Sequence, residues 1–335
     1  MQYNCITFNW TGKSDMMGKN VTVNKKVLKS KPKIILAFSA MLVLICATTS
    51  YGAFFDTAGQ SARPMGMGEV FIASTGDASN YFYNPAGLSA VGSRNVGISY
   101  GIINPSISSD LMKYQLTYVN PLGENGGFGL GVSGLGADGA SEMVISGAYG
   151  TKLGESLAIG GNVKVLRWAI EGQEDLYTSK TDDDLSKVSF SLDLSATYAL
   201  GEMFGLADFV TGVYVKDAIM PNISESGDDG GKLPVEAGIG LMAHRGDVLG
   251  EVDVAFVNGQ TIFRAGVESG VTGSNLKVRG GLMYGSDFED DVEKTDFDFG
   301  LGYAFSSLVF DYAYNIPIAL SDSGGRHFIS FGVSF

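Results

Sequence analysis

The feature that most constrains this chain is a two-residue alternation that recurs over nearly all of it after residue 95. In 188–200 the even positions are Val188, Phe190, Leu192, Leu194, Ala196, Tyr198 and Leu200. The odd positions are Ser189, Ser191, Asp193, Ser195, Thr197 and Ala199. In 296–305, Phe297, Phe299, Leu301, Tyr303 and Phe305 share one face, and Asp296, Asp298, Gly300, Gly302 and Ala304 share the other. Successive side chains of a strand point to opposite faces, so each such segment predicts a strand with one apolar face and one polar or small face. The pattern predicts strands at 95–103, 111–119, 125–135, 141–150, 156–170, 186–200, 206–217, 232–243, 247–257, 261–270, 275–285, 295–305, 307–315 and 327–335. That number is even, and the usual length is close to the roughly 9–11 residues that cross a bilayer at a tilt. The alternation defines the register least well over 206–217.

The two faces decide between a soluble sandwich and a membrane barrel. Charges fall on the faces opposite the apolar rows: Lys113, Lys164, Asp193, Glu236, Glu251, Asp253, Arg264, Glu268, Lys277, Arg279, Asp296, Asp298 and Asp311. Buried in a sandwich they would be very costly, whereas a water-containing lumen solvates or pairs them. The apolar rows carry aromatics near strand ends, including Tyr114, Tyr118, Tyr284, Tyr303, Tyr312 and Tyr314, as an interfacial girdle does. Short connections follow the even-numbered strands. Longer ones, at 171–185, 218–231, 286–294 and 316–326, follow odd-numbered strands, with the short 258–260 as an exception. Outer-membrane barrels keep their short turns on the periplasmic side. The expected fold is therefore all-β: a transmembrane antiparallel β-barrel of about 14 strands with both ends periplasmic. Its lumen is expected to hold a cross-strand charge network, with Glu251 and Asp253 near Arg264, and Lys277 and Arg279 near Asp296 and Asp298. This network either braces the wall or selects a substrate.

Composition closes off the other classes. The 35 Phe and Tyr residues exclude a disordered chain. Two cysteines exclude a disulfide scaffold. A net charge of −13 argues against a nucleic-acid partner, whose phosphates would call for basic residues. Three of the long loops, 171–185, 218–231 and 286–294, hold fourteen acids against two lysines, nearly the whole imbalance. Glycine, at 47 residues, is about twice its usual share, which suits bends and close backbone approach. No cofactor and no metal site is expected: two histidines, His244 and His327, form no ligand pair, and the acidic loops lack a glycine-spaced calcium pattern. No nucleophile has a base and orienter beside it in the pattern, so an enzyme is not expected.

The N-terminus reads as a leader. Lys25, Lys26, Lys29, Lys31 and Lys33 precede an apolar run over 34–46, followed by small residues around Gly52. That is the order of a secretory signal peptide, and the run is shorter than the roughly 20 residues of a membrane span, although an N-terminal anchor is the alternative. Met16 and Met17 are alternative starts. The expected division is a cleaved leader at 1–52, an inner segment at 53–92 and the barrel at 93–335. A cut after Gly52 removes both Cys5 and Cys46.

Two further motifs carry a family resemblance. Between the leader and the first strand stand Ala62-Arg63-Pro64, Met67-Gly68, Gly76-Asp77-Ala78-Ser79 and Asn84-Pro85-Ala86-Gly87-Leu88. The last strand places Ile329, Phe331, Val333 and Phe335 on one face and ends on Phe335. The first stretch resembles the N-terminal signature of the FadL/PorV-type outer-membrane proteins over about 30 residues, and the second resembles the C-terminal assembly signal of outer-membrane barrels. Glu69-Val70 and Gly76 depart from the usual pattern. Arg63-Pro64 and the chain length lean toward the PorV/PorQ branch. The resemblance implies a bacterial outer-membrane location and a hatch folded into the lumen, built on Arg63, Pro64, Met67, Gly68, Asp77, Asn84, Pro85, Ala86, Gly87 and Leu88. A periplasmic tail or assembly device is the alternative for that segment. The resemblance also implies passive uptake of hydrophobic small molecules such as long-chain fatty acids, leaving sideways through a gap in the third strand. Glycine weakens a strand, so Gly129, Gly131 and Gly134 are the candidates for that gap, or else mark ordinary curvature. Implied partners are outer-membrane lipid, the barrel assembly machinery acting through Phe331 and Phe335, and a hydrophobic ligand. The other roles left open are a type IX secretion component handling exported cargo and a structural surface barrel.

Overall fold

The computed structural model describes residues 55, 60–108, 110–172, 184–224, 227, 231–287 and 293–335. The expected leader and much of the three acidic loops lie outside the described residues. The alternating segments form fourteen strands: β1 Asn95–Ile103, β2 Met112–Leu122, β3 Gly126–Ala137, β4 Ala140–Leu153, β5 Leu157–Ile170, β6 Leu185–Met203, β7 Leu206–Lys216, β8 Glu236–Arg245, β9 Val248–Val257, β10 Gln260–Gly270, β11 Leu276–Asp287, β12 Glu293–Phe305, β13 Leu308–Pro317 and β14 Arg326–Ser334. Each pairs antiparallel with its neighbours, and β14 returns to β1 with Ser334 opposite Asn95. Closure leaves no sheet edge, as a bilayer requires.

Turn lengths follow the backbone chemistry. Asn258-Gly259 joins β9 to β10 with φ of 49° and 76°, the two positive values a tight hairpin turn of matching twist needs. The connections after even-numbered strands are short throughout; those after β3 and β9 are the short ones on the opposite, long-loop end.

The alternation resolves into an outside and an inside. Phe297, Phe299, Leu301, Tyr303 and Phe305 are exposed on the outer wall, and Asp296 and Asp298 between them are buried within. The same holds around the barrel, with Ile98, Leu116, Leu130, Val163, Phe190, Leu194, Val252 and Phe331 outward. Such a belt is stable against lipid tails. Among the described residues no helix is long and apolar enough to cross a membrane. Phe331 and Phe335 lie on the outer face, and the Phe335 N–H donates to the Arg94 carbonyl at 3.0 Å, tying the chain end to the start of β1.

The core sits inside the barrel. Residues 60–91 lie along the inner wall as two short helices, α1 Ala62–Met65 and α2 Asn80–Tyr83, and a 3-10 turn Pro85–Ala90. Met67, Val70 and Ala73 pack on Val210, Met242 and Leu249 of β7, β8 and β9. Phe71, Tyr81, Phe82, Tyr83 and Leu88 pack with Val119 and Ala148 of β2 and β4. Ala62 and Met65 pack on Ala313 and Phe328 of β13 and β14.

Candidate functional site

The site is built where this inner segment meets the wall. Arg63 in α1 is the first anchor. Its Nη1 donates to Asp77 at 2.7 Å, its Nε to Glu268 of β10 at 2.9 Å and its Nη2 to the other Glu268 oxygen at 3.2 Å. The guanidinium also lies 5.3 Å from the centre of the Phe71 ring. Planar Arg is suited to this two-sided grip on two carboxylates. Burial alone would raise the Asp77 carboxyl, but Arg63 and the N–H of Ser79 more than reverse this and hold it below its ordinary 3.8.

A second anchor comes from two consecutive inward positions of β9. Asp253 Oδ2 accepts the N–H groups of Phe71 and Ile72 at 2.9 and 3.3 Å. Glu251 Oε1 accepts those of Ala73 and Ser74 at 2.6 and 3.2 Å, and Glu251 Oε2 accepts the Ser74 hydroxyl at 2.5 Å. Four successive backbone donors that belong to no helix or sheet are thus satisfied by two buried carboxylates. The charges are inward as expected, but their partners differ. Arg264 stands opposite Asp253 in register yet reaches Glu236 at 3.9 Å. Lys277 and Arg279 do not meet Asp296 or Asp298. Both pair with Glu268 at 2.7 Å, and Arg279 also pairs with Asp311 at 2.6 Å. Asp298 instead accepts from Asn315 at 2.8 Å. The register explains the change, because Arg279 stands opposite Glu268 on one side and Gly300 on the other, while Asp298 stands opposite Gly281.

The Asn84–Leu88 motif folds the other end of the segment. The Asn84 side chain accepts from Ala86 N–H at 3.1 Å and donates to the Ile72 carbonyl, joining the two halves of the segment. Pro85 then starts the 3-10 turn, where its missing N–H costs nothing. Gly87 faces the Asn80 amide, which any Cβ would strike, and Leu88 is fully buried. Pro64 offers its carbonyl to the N–H groups of Met67 and Glu69, and Gly68 turns the chain at φ of 72°.

Glycines of the wall make room for this backbone. Gly281 and Gly266 sit against the main chain of Met67 and Gly68, Gly212 against the carbonyl of Ile72, and Gly150 and Gly160 against Pro85 and Ala86. The expected gap in β3 is not there. β3 pairs without interruption with β2 and with β4 from Gly126 to Gly136. Gly129 and Gly131 instead seat Tyr81, whose ring would clash with a Cβ at Gly131, and whose hydroxyl accepts from Gln115 at 2.9 Å. Gly134 makes space for the Tyr114 hydroxyl and the Glu142 carbonyl.

Two hollows border the segment on its short-turn side. One, of about 480 Å³, lies among Asp77, Ser99, Thr117, Arg279 and Asp311. The other, of about 420 Å³, lies among Ser74, Asp208, Phe209, Met242 and His244. Arg63 and Lys277 line both. On the long-loop side Phe55, Leu166, Trp168, Ile223 and Leu233 form an apolar cluster, with the Trp168 indole donating to the Ile223 carbonyl at 2.8 Å.

No family model and no curated protein matches this sequence. Solved structures do. The CymD monoaromatic hydrocarbon channel superposes with a TM-score of 0.63 at 13% identity, over 84% of this chain and 99% of that one. The Ralstonia pickettii toluene transporter TbuX gives a TM-score of 0.63 at 13% identity, over 84% and 100%. A Pseudomonas aeruginosa FadL homologue gives 0.57 at 12% identity, over 82% and 98%. The fold is that of the FadL-type barrel. At this identity the likeness is one of architecture, and the FadL-type barrel of this chain is specified by its own alternation, glycine seats and inward charges.

Alternation alone makes Glu268 and Asp311 inward charges, but it does not show that they pair with Arg63, Lys277 and Arg279. The signal was present for Glu268: it stands directly opposite Arg279 once β10 and β11 are paired. Ser330, whose hydroxyl accepts the Ala62 N–H at 2.8 Å, had no such signal.

Proposed function

We propose that this protein is an outer-membrane channel for passive uptake of hydrophobic small molecules, with the segment at residues 60–91 as its hatch. The observation that carries the reading is the docking itself. A non-sheet segment crosses the bore, is fastened by Arg63, Glu251 and Asp253, and leaves hollows beside it. Such an arrangement closes the bore to water and ions while leaving room for a path around the segment. The structures that share the fold include channels described for monoaromatic hydrocarbons and toluene, which supports a hydrophobic substrate and a role other than catalysis. His327, stacked on Tyr314 at 4.6 Å, is an interfacial aromatic partner rather than a catalytic base. The test is uptake of radiolabelled toluene and oleate by cells with and without the protein. The reading expects faster uptake with it; equal uptake of both probes overturns it.

A further inference from the structure

The buried carboxylates of the wall differ in what meets them. Glu268 and Asp311 pair with Arg63, Lys277 and Arg279, and Asp193 and Asp217 share Lys164 at 2.8 and 2.7 Å. Glu251 and Asp253 take backbone N–H groups of the inner segment. Asp296 and Asp298 have neither kind of partner among the described residues. They stand two residues apart on the inner face of β12, 1% and 2% exposed. What they share is the Asn315 amide of β13, which is opposite Asp298 in register. Its Nδ2 donates to Asp298 Oδ1 at 2.8 Å and to Asp296 Oδ2 at 3.4 Å.

Two oxygens of this group are buried without a hydrogen-bond partner: Asp296 Oδ1 and Asn315 Oδ1. Arg326, opposite Asn315 on β14, does not compensate them, and its own Nε is unpartnered. Lys294, two residues before Asp296 on the same face, is exposed. Helix α1 and the 3-10 turn Ile318–Ser323 both pack on β12 and β13. Two carboxylates held out of water around one neutral amide leave a charge of −2 uncompensated, which is a large cost.

The spacing suits a hard cation. The nitrogen and oxygen of an amide are nearly the same size, so a half-turn of the Asn315 amide puts its unpartnered oxygen where the nitrogen stands. That oxygen is then 2.8 Å from Asp298 Oδ1 and 3.4 Å from Asp296 Oδ2. Oxygens about 2.4 Å from one calcium ion, and about 70–90° apart as seen from it, are separated by about 2.8–3.4 Å. Magnesium, octahedral at about 2.0–2.1 Å, keeps neighbouring oxygens about 2.9 Å apart and does not fit the wider spacing. Asp296 Oδ1 completes a bidentate grip, and a charge of −2 matches a divalent ion. Among the described residues no three Asp, Glu, His or Cys side chains gather to hold a metal, so the amide oxygen is essential to this set.

We propose that Asp296, Asp298 and the turned amide of Asn315 form a calcium site that ties β12 to β13 inside the long-loop end of the lumen. The ion neutralises the two carboxylates and takes up the oxygen that the amide leaves unpaired. The site is independent of whether the barrel carries a solute.

Hydrogen–deuterium exchange of the full barrel in detergent, read on peptides covering 293–299 and 312–317, tests it in millimolar calcium chloride against EGTA. The site requires calcium to slow exchange there at least fivefold and equal magnesium to slow it by less than half as much. Asp296→Asn and Asp298→Asn each remove one buried charge while keeping the shape, so both fold, and both must lose the calcium response. Asn315→Asp supplies an oxygen without the half-turn and must keep it. Equal slowing in wild type and in the two Asp→Asn variants puts the calcium on the acidic loops and overturns the site. So does the absence of a calcium response in wild type, or its loss in Asn315→Asp. If acid slows exchange there in EGTA, after correction for intrinsic rates, and calcium does not, the carboxylates share a proton instead, which also overturns it.

Discussion

The grip of β9 on the inner segment makes a quantitative prediction. Asp253→Ala removes the acceptor of two N–H groups, those of Phe71 and Ile72, at 2.9 and 3.3 Å, in a place water does not reach. Leaving a buried donor unpaired costs about 1–3 kcal/mol each, and the longer bond counts at the low end, so the loss is about 2–4 kcal/mol. Glu251 still holds Ala73 and Ser74, so the segment stays docked and the cost appears as local opening. At about 1.4 kcal/mol per tenfold, amides in 69–76 exchange about thirty- to seven-hundred-fold faster. Hydrogen–deuterium exchange of the purified barrel in detergent, read on peptides covering that stretch, measures this directly. Asp253→Asn keeps one acceptor oxygen and should fall between the two. The reasoning fails if exchange over 69–76 changes less than threefold in Asp253→Ala, or if the β2–β5 amides accelerate equally, since that would mean the whole barrel had loosened.

Two further outcomes follow from the anchors. Gly131→Val places side-chain atoms in the space of the Tyr81 ring, an overpacking cost of about 1–3 kcal/mol, and should lower the midpoint of heat-modified gel migration by several degrees. Gly147→Val, whose Cβ meets only Leu130 at 3.5 Å, should leave it unchanged. The Arg63–Asp77 pair has a defined pH window: folding holds the Asp77 carboxyl below 3.8, so its contribution is complete above that pH and is lost as the pH falls further, through the lower value of the folded state. Exchange at 75–80, corrected for intrinsic rates, should therefore differ little between pH 7 and 5 and rise below about 3.8, and Asp77→Asn should remove that acid-dependent rise.

The β4–β5 and β11–β12 hairpins show how far local pattern reaches. Their alternation alone places Lys164, Arg279 and Asp298 inward and Phe299 outward, and the structure agrees at each position. Parity is a property of one strand, so it is legible in one strand's sequence. The partners of those charges are not. Arg279 was expected beside Asp296 and Asp298 but meets Glu268 and Asp311, because the pairing offset of three strands sets who stands opposite whom.

β3 gives the complementary lesson. Its glycines were legible as an anomaly, and they suited an open wall as well as a filled one. What decided between them was Tyr81, some 50 residues away in sequence from Gly131, pressed into the space a Cβ would take. In the same way, Glu251 and Asp253 could be read as inward acids but not as acceptors for the backbone of residues 71–74. The sequence by itself determined the strands, their count, their two faces and the motifs of the segment before them, because these depend on neighbours within a few residues. Tertiary structure alone decided the path of that segment and the identity of its anchors. Those depend on closing fourteen strands in one register around a chain that belongs to none of them, and that is a non-local constraint no single segment carries.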